Sequence, residues 1–171
     1  MIKNIELYIL IFFIYAFAGW CLESIGSIFN PKVKKFINRG FLIGPYCPIY
    51  GYGALLITFL LKKYTNDPIT LFIMVILVCG ILEYLTSYFM EKIFKARWWD
   101  YSTKKFNING RICLDTMIPF GIGGVLFLYV MQPIFEKLVG KLKKKQLNTV
   151  FWIVIGIFIV DIIVNVASLL I

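Results

Sequence analysis

The sequence predicts an all-α, multi-pass transmembrane helical bundle with about five spans. Of the 171 residues, 60% are hydrophobic and only 16% are charged, whereas soluble domains are nearer half apolar and a quarter charged. The apolar residues form long blocks, and a helix needs about 20 such residues to cross the hydrocarbon of a bilayer. These blocks take up most of the chain, so we expect a single transmembrane domain over residues 1–171.

The five predicted spans are joined by short polar loops. The first block contains Glu23 and lacks a small-x-small cleavage site, so we expect it to remain a span and not to be a signal peptide. Asp67 and Pro68 predict the start of the third span, because they suit a helix cap and a first turn. The predicted spans are Ile5–Phe29, Phe41–Leu61, Pro68–Phe94, Leu114–Leu138 and Asn148–Ile171.

The second span is predicted to be broken or partly re-entrant. Its entry, residues 40–53, has two prolines and four glycines, which a continuous helix tolerates poorly. We expect regular helix from about Ala54 to Leu61, and a kinked or closely packed first half of the fourth span, which contains Pro119. The residues expected to have such structural roles are Gly19, Gly44, Pro45, Pro48, Gly51 and Gly53.

The net charge of +9 comes from 18 basic and nine acidic residues. In a soluble protein this excess would favour nucleic-acid binding. Here the basic residues crowd the short loops, where they fit the positive-inside pattern and the anionic lipid headgroups. We therefore expect membrane lipids, and no nucleic acid, as partners. The first and third loops hold ten basic residues against eight elsewhere, which leaves the orientation open.

The four cysteines are scattered, and the chain has no histidine. A zinc site needs clustered cysteine and histidine ligands, and a disulfide framework needs a short secreted chain. The sequence therefore predicts no metal and no cofactor. We expect the cysteines to be small packing residues.

Acidic residues within the predicted spans are the most unusual feature of the sequence. An ionised carboxylate at the bilayer centre costs about 2.5–3.5 kcal/mol on insertion scales, so it needs a reason to remain. Glu23, Glu83 and Asp161 each lie on a polar stripe at helical spacing. The simplest geometry points the three stripes at one polar interior. Asp115 equally fits a helix cap at the interface.

A structural alternative is that these acids pair with arginines and only hold the bundle together. Three arginines in the loops could serve as partners, namely Arg39, Arg97 and Arg111. Both interpretations stay open at this point.

The aromatic cluster after the third span also has two interpretations. Trp98, Trp99 and Tyr101 fit an interfacial belt. The tryptophans could instead stack on a ligand beside Asp100, with Arg97 binding a phosphate or carboxylate through its planar guanidinium.

Common catalytic signatures are missing from the sequence. It has no G-x-x-x-x-G-K-[ST] phosphate loop and neither G-x-S-x-G nor H-E-x-x-H. An enzyme would therefore have to depend on carboxylates, so we predict no catalytic residue and leave a membrane-embedded enzyme as an alternative.

Four stretches of the sequence resemble one family, the putative ABC-transporter type IV permease-like proteins of bacteria. The stretches are GWCLE (19–23), NRGFLIGPYCPIYGYG (38–53), ARWWDYS (96–102) and NINGRICLD (107–115). The resemblance as a whole covers residues 19 to about 124. The resemblance implies a permease-like protein of the bacterial cytoplasmic membrane, with any ATPase partner a separate protein. The chain departs from the family pattern at Met117 and Phe120, where a serine and a tryptophan are usual.

Three functional hypotheses follow from these observations. The first is a transport-related membrane subunit with an internal polar site, in which arginines pair with carboxylates or gate them. The second is a membrane-embedded enzyme or lipid-headgroup binder, with arginines on a phosphate and a carboxylate as acid or base. The third is a scaffold that assembles with other subunits, and a homo-oligomer is left open. The candidate site residues are Glu23, Glu83, Arg39, Arg111, Asn38, Trp98, Trp99 and Asp100.

Overall fold

The computed structural model describes residues 2–31 and 33–170, and the side chains of 5–31 and 33–168. Lys32, counted above in the first basic loop, lies outside the described residues, as does the side chain of Lys3. The helices are α1 (Ile2–Phe29), α2 (Pro48–Leu56), α3 (Pro68–Phe94), α4 (Leu114–Leu126), α5 (Gln132–Gly140) and α6 (Lys144–Leu170). A two-stranded antiparallel hairpin, β1 (Asn107–Ile108) and β2 (Ile112–Cys113), lies between α3 and α4.

The all-α membrane architecture is confirmed. Among the described residues, four helical segments are long and apolar enough to cross a membrane: Ile5–Phe29, Pro68–Phe94, Leu114–Gly140 and Lys144–Ser168. The third predicted span starts as expected, because the Asp67 carboxylate caps α3 by accepting from the backbone N–H groups of Ile69 and Thr70. Lys95, in the left-handed conformation, ends that helix.

The second predicted span, Phe41–Leu61, is not among the helical segments long enough to cross a membrane. Residues 41–47 are not helical, as the prolines and glycines predicted, but the prediction that regular helix begins near Ala54 is wrong. Helix α2 already starts at Pro48, because proline suits a first helical turn, where its missing N–H costs nothing. A π-helical turn, Ile57–Leu61, follows α2 directly.

A second π-helical turn, Phe127–Met131, interrupts the fourth predicted span between α4 and α5. The first half of that span was expected to be kinked or closely packed. Helix α4 continues through Pro119 as α-helix, and the close packing is found, because a Cβ atom on Gly124 would overlap the Val75 side chain. A π turn leaves one backbone carbonyl out of the regular ladder and is frequent at functional sites.

The chain divides into two compact units. The first contains residues 1–52 and 137–171 and so holds α1, the loop 30–47 and α6; the second is Gly53–Glu136 and holds α3, the hairpin and α4. Small residues permit close helix packing in each unit. In the first, a Cβ atom on Gly51 would lie 2.5 Å from the Phe12 ring, and in the second a Cβ atom on Gly121 would lie 2.5 Å from the Phe72 ring.

Candidate functional site

In the second unit, the segment after α3 folds back on itself. The indole N–H of Trp99 donates to the Arg111 carbonyl at 2.9 Å, and the backbone N–H of Tyr101 donates to the Gly110 carbonyl at 2.7 Å. The turn of the hairpin is closed by the Arg111 N–H, which donates to the Ile108 carbonyl at 3.0 Å. Its central residues Asn109 and Gly110 have positive φ, as a tight hairpin turn requires. The two motifs ARWWDYS and NINGRICLD therefore form one structure.

This fold places two arginines on one carboxylate, that of Glu91. The Arg111 guanidinium reaches Glu91 at 2.5 Å and donates to the Ser87 hydroxyl at 3.1 Å. Arg97 reaches the other Glu91 oxygen at 3.0 Å. The side chain of Arg111 is only 10% exposed, and its guanidinium lies over the rings of Tyr84 and Tyr88. Arg111 is thus already surrounded by partners from α3.

Two of the aromatic and acidic candidates support this loop. Asp100 accepts hydrogen bonds from the backbone N–H and the hydroxyl of Ser102, and it lies 3.7 Å from the Arg97 guanidinium. These donors hold the pKa of Asp100 below its ordinary value, with the Ser102 hydroxyl as the largest cause. Trp98 packs edge-on against Phe94, with 5.6 Å between the ring centroids.

Glu83 lies two turns before Glu91 on α3 and has a different kind of partner. Only 6% of Glu83 is exposed, although it lies in a segment apolar enough to span a membrane. The Tyr101 hydroxyl donates to Glu83 Oε1 at 3.1 Å. A buried carboxylate within a span is therefore fixed by a neutral hydroxyl from the aromatic motif.

In the first unit, the loop 30–47 is anchored by polar side chains of α1. The Trp20 indole N–H donates to Asn38 Oδ1 at 2.7 Å, and the Asn38 amide donates to the Ile43 carbonyl at 3.2 Å. The structure brings Arg39 to α1 through its backbone N–H, which donates to the Ser24 hydroxyl at 3.1 Å. The contact of Trp20 with Asn38 links the first two sequence motifs.

Asp161, on α6, satisfies the non-helical backbone of the same loop. Its carboxylate accepts from the backbone N–H groups of Ile43 at 3.1 Å and Gly44 at 2.7 Å, and from the Tyr46 hydroxyl. Asn165, one turn further along α6, donates to the Phe41 carbonyl at 2.5 Å. Pro45 lies within the segment that these bonds hold. Non-helical backbone in an apolar setting requires such partners, so these contacts explain why Asp161 is present.

Glu23, on α1, accepts a hydrogen bond from the Tyr50 hydroxyl at 2.6 Å. Tyr50 belongs to α2 and packs directly on Gly19, where any side chain would overlap its ring. In contrast, Gly53 makes only ordinary van der Waals contact, at 3.7 Å from Leu82. The structural role predicted for Gly19 thus has a physical cause, because its lack of a side chain lets Tyr50 reach Glu23.

The structure differs from the sequence hypothesis in the arginine pairing. The described ion pairs of Arg97 and Arg111 are to Glu91, a residue that the sequence reasoning missed, and, for Arg97, also to Asp100. The reasoning also missed the two tyrosine donors. The Asn109-Gly110 pair was the available signal for a hairpin that brings Arg111 back to α3.

Residues 10–166 match a family model described as putative ABC-transporter type IV. The chain belongs to this family. No curated protein and no solved structure matches it. With its four membrane-spanning helical segments, this type IV family member is a transport-related, multi-pass membrane protein. The matched residues include both loops and the carboxylates Glu23, Glu83 and Asp161.

Proposed function

We propose that this chain is the membrane-spanning subunit of a transporter, and that Glu83 is a carboxylate that binds a transported or coupled cation or proton. The observation that carries the proposal is the burial of Glu83 within a span while it accepts from the Tyr101 hydroxyl. A carboxylate is expensive in that environment and is functional by default.

Two other carboxylates, Glu91 and Asp161, have structural uses that account for them. Glu91 neutralises two arginines, and Asp161 satisfies two backbone N–H groups. The hydroxyl of Tyr101 brings no charge to Glu83 in this contact. These contrasts support Glu83 as the working group of the second unit.

The geometry gives less support to the alternative of a lipid-headgroup or phosphate site. That hypothesis needs arginines available to an anion, and it named Arg39, Arg97 and Arg111. Two of these three, Arg97 and Arg111, already contact Glu91 through their guanidinium groups. A separate ATPase partner is part of the proposal, because the family description names an ABC transporter and the sequence contains no phosphate-loop motif.

Inverted membrane vesicles from cells that express the chain with its native partners test this function. The vesicles are energised with ATP, and their contents are compared by elemental and metabolite analysis with those of vesicles lacking the chain. We expect an ATP-dependent difference that Glu83→Gln abolishes. Glu136→Gln is the matched control, because Glu136 is 41% exposed and its ion pair with Lys62 is long, at 3.9 Å. This substitution should leave the ATP-dependent difference intact.

Two results would overturn the proposal. One is that vesicles with and without the chain have the same contents under ATP. The other is that Glu83→Gln, present at the same level in the membrane, transports as well as the wild type.

A further inference from the structure

Two segments of the chain have closely similar sequences. LESIGSIF (22–29) in α1 matches LEYLTSYF (82–89) in α3, with identical leucine, glutamate, serine and phenylalanine at an offset of 60 residues. YGYGALL (50–56) in α2 matches FGIGGVL (120–126) in α4 at an offset of 70. The order of the matched segments is the same in both copies.

The structure repeats where the sequence repeats. The π-helical turn Ile57–Leu61 follows α2, and the π-helical turn Phe127–Met131 follows α4, again 70 residues later. The glycine contacts described above are also equivalent, since Gly51 meets Phe12 as Gly121 meets Phe72. Two buried positions of the first helix agree as well, since Ile11 and Leu71 are both fully covered and Ser27 and Ser87 are both buried. The two glutamates differ, because Glu23 is exposed and Glu83 is buried.

The repeat places Glu23 at the position of Glu83, and each of them accepts from a tyrosine hydroxyl. The two donors are not equivalent residues. Tyr50 corresponds to Phe120, which has no hydroxyl, and Tyr101 supplies the hydroxyl from the hairpin loop instead. If the tyrosine–glutamate hydrogen bond were only a by-product of the repeat, the second copy would lack it, because Phe120 has no hydroxyl. The second copy has the hydrogen bond nevertheless, with Tyr101 as the donor. This indicates that the hydroxyl–carboxylate contact itself is needed.

From these observations we infer that the chain contains two copies of one helix–loop–helix unit, and that Glu23 with Tyr50 is a second proton-binding carboxylate equivalent to Glu83 with Tyr101. The inference rests on the proposed function, and it names the ion as a proton. Internal repeats are common in transporter folds.

The chemistry of a tyrosine–carboxylate pair favours a proton over a metal ion. A hydroxyl donates to an ionised carboxylate and accepts from a protonated one, so the pair stays hydrogen-bonded in both states. Protonation takes one proton from water onto a carboxylate oxygen, and release returns it to water. Metal ions such as calcium need several oxygen ligands, and among the residues that the structure describes no three acidic or cysteine side chains are grouped as ligands.

Infrared difference spectroscopy of the full chain in lipid vesicles tests the inference, because protonated carboxyl groups have a carbonyl band of their own. Spectra are recorded through a pH titration for the wild type, Glu23→Gln, Glu83→Gln and the control Glu136→Gln. Each Glu→Gln substitution removes the band of its own carboxyl group, so the three variants assign the bands of Glu23, Glu83 and the control Glu136. We expect Tyr50→Phe to shift the Glu23 band alone, and Tyr101→Phe to shift the Glu83 band alone.

The possible results separate the two proposals. A Glu83 band that Tyr101→Phe shifts, together with a Glu23 band that Tyr50→Phe leaves in place, would overturn the duplicated site and leave the proposed function standing. If neither tyrosine variant shifts its band, both the second site and the role given to the hydroxyl at Glu83 are wrong.

Discussion

The two loops that follow α1 and α3 are both held in place by side-chain contacts, but the contacts are of different kinds. The loop 30–47 is held by hydrogen bonds, since the Asn38 amide donates to a backbone carbonyl and Asp161 accepts from two backbone N–H groups. The loop 95–113 is held by ion pairs, with Arg111 between Glu91 and the α3 tyrosines. In both loops a carboxylate stabilises the backbone conformation. The comparison separates these two carboxylates from Glu23 and Glu83, which accept from the Tyr50 and Tyr101 hydroxyls and which we propose to be functional.

The largest expected effect is on the ion-paired loop. Arg111→Met should lower the free energy of unfolding by about 3 kcal/mol, because it removes the hydrogen bonds of a largely buried guanidinium to the Glu91 carboxylate and the Ser87 hydroxyl. Thermal unfolding in detergent measures this effect. Lys104→Met is the control, since the pair of Lys104 with Asp115 is exposed and should contribute less than about 1 kcal/mol. Equal losses of unfolding free energy in the two variants would contradict the larger contribution assigned to Arg111.

In the first unit, the packing of Tyr50 gives the next largest effect. Gly19→Ala should destabilise by about 2 kcal/mol, because the added methyl group overlaps the Tyr50 ring and forces it to move. Gly26→Ala, on the same helix with nothing within 4 Å of its Cβ position, should be neutral or stabilising, since alanine is the better helix former. The comparison uses unfolding midpoints, and a harmless Gly19→Ala would show that this contact is loose.

Asp161 tests whether the first loop depends on a carboxylate. Asp161→Asn should cost about 1.5 kcal/mol, because the amide nitrogen would face a backbone N–H and leave it without an acceptor. Limited proteolysis within residues 30–47 should become faster in the variant. Unchanged cleavage would mean that the neighbouring Asn165 bond to Phe41 is sufficient to hold the loop.

The smallest effect is a pH dependence of the second loop. The pKa of Asp100 is lower in the folded protein than its ordinary value of 3.8, mainly because of the Ser102 hydroxyl. The ionised group therefore stabilises the fold above pH 3.8, and this contribution is lost as the pH falls through the folded-state pKa. Unfolding midpoints of the wild type and Asp100→Asn should differ at pH 6 and converge towards pH 3. A constant difference would contradict this assignment.

The sequence was sufficient for the membrane helices and for the broken entry of the second span, because these depend on local composition. Asp67 and Pro68 likewise marked the start of α3 with local signals. The pairing of Arg111 could not be derived in this way, since it depends on a hairpin that returns the chain to α3. Glu91 was overlooked because it lies near the end of a span, where a charge is unremarkable. The bond between Asp161 and the loop at Gly44 joins residues far apart in sequence, which no periodicity can reveal.

The central claim is that Glu23 and Glu83, which accept from the Tyr50 and Tyr101 hydroxyls, act in transport. Glu91, which is ion-paired, and Asp161, which also accepts from backbone N–H groups, support the fold. The most direct measurement pairs transport in ATP-energised vesicles with the unfolding midpoint for Glu23→Gln, Glu83→Gln, Glu91→Gln and Asp161→Asn. We expect the first two variants to lose transport with little change in the unfolding midpoint. We expect the last two variants to have a lower unfolding midpoint. The opposite pattern, with stable and fully active Glu23→Gln and Glu83→Gln proteins, would contradict the account.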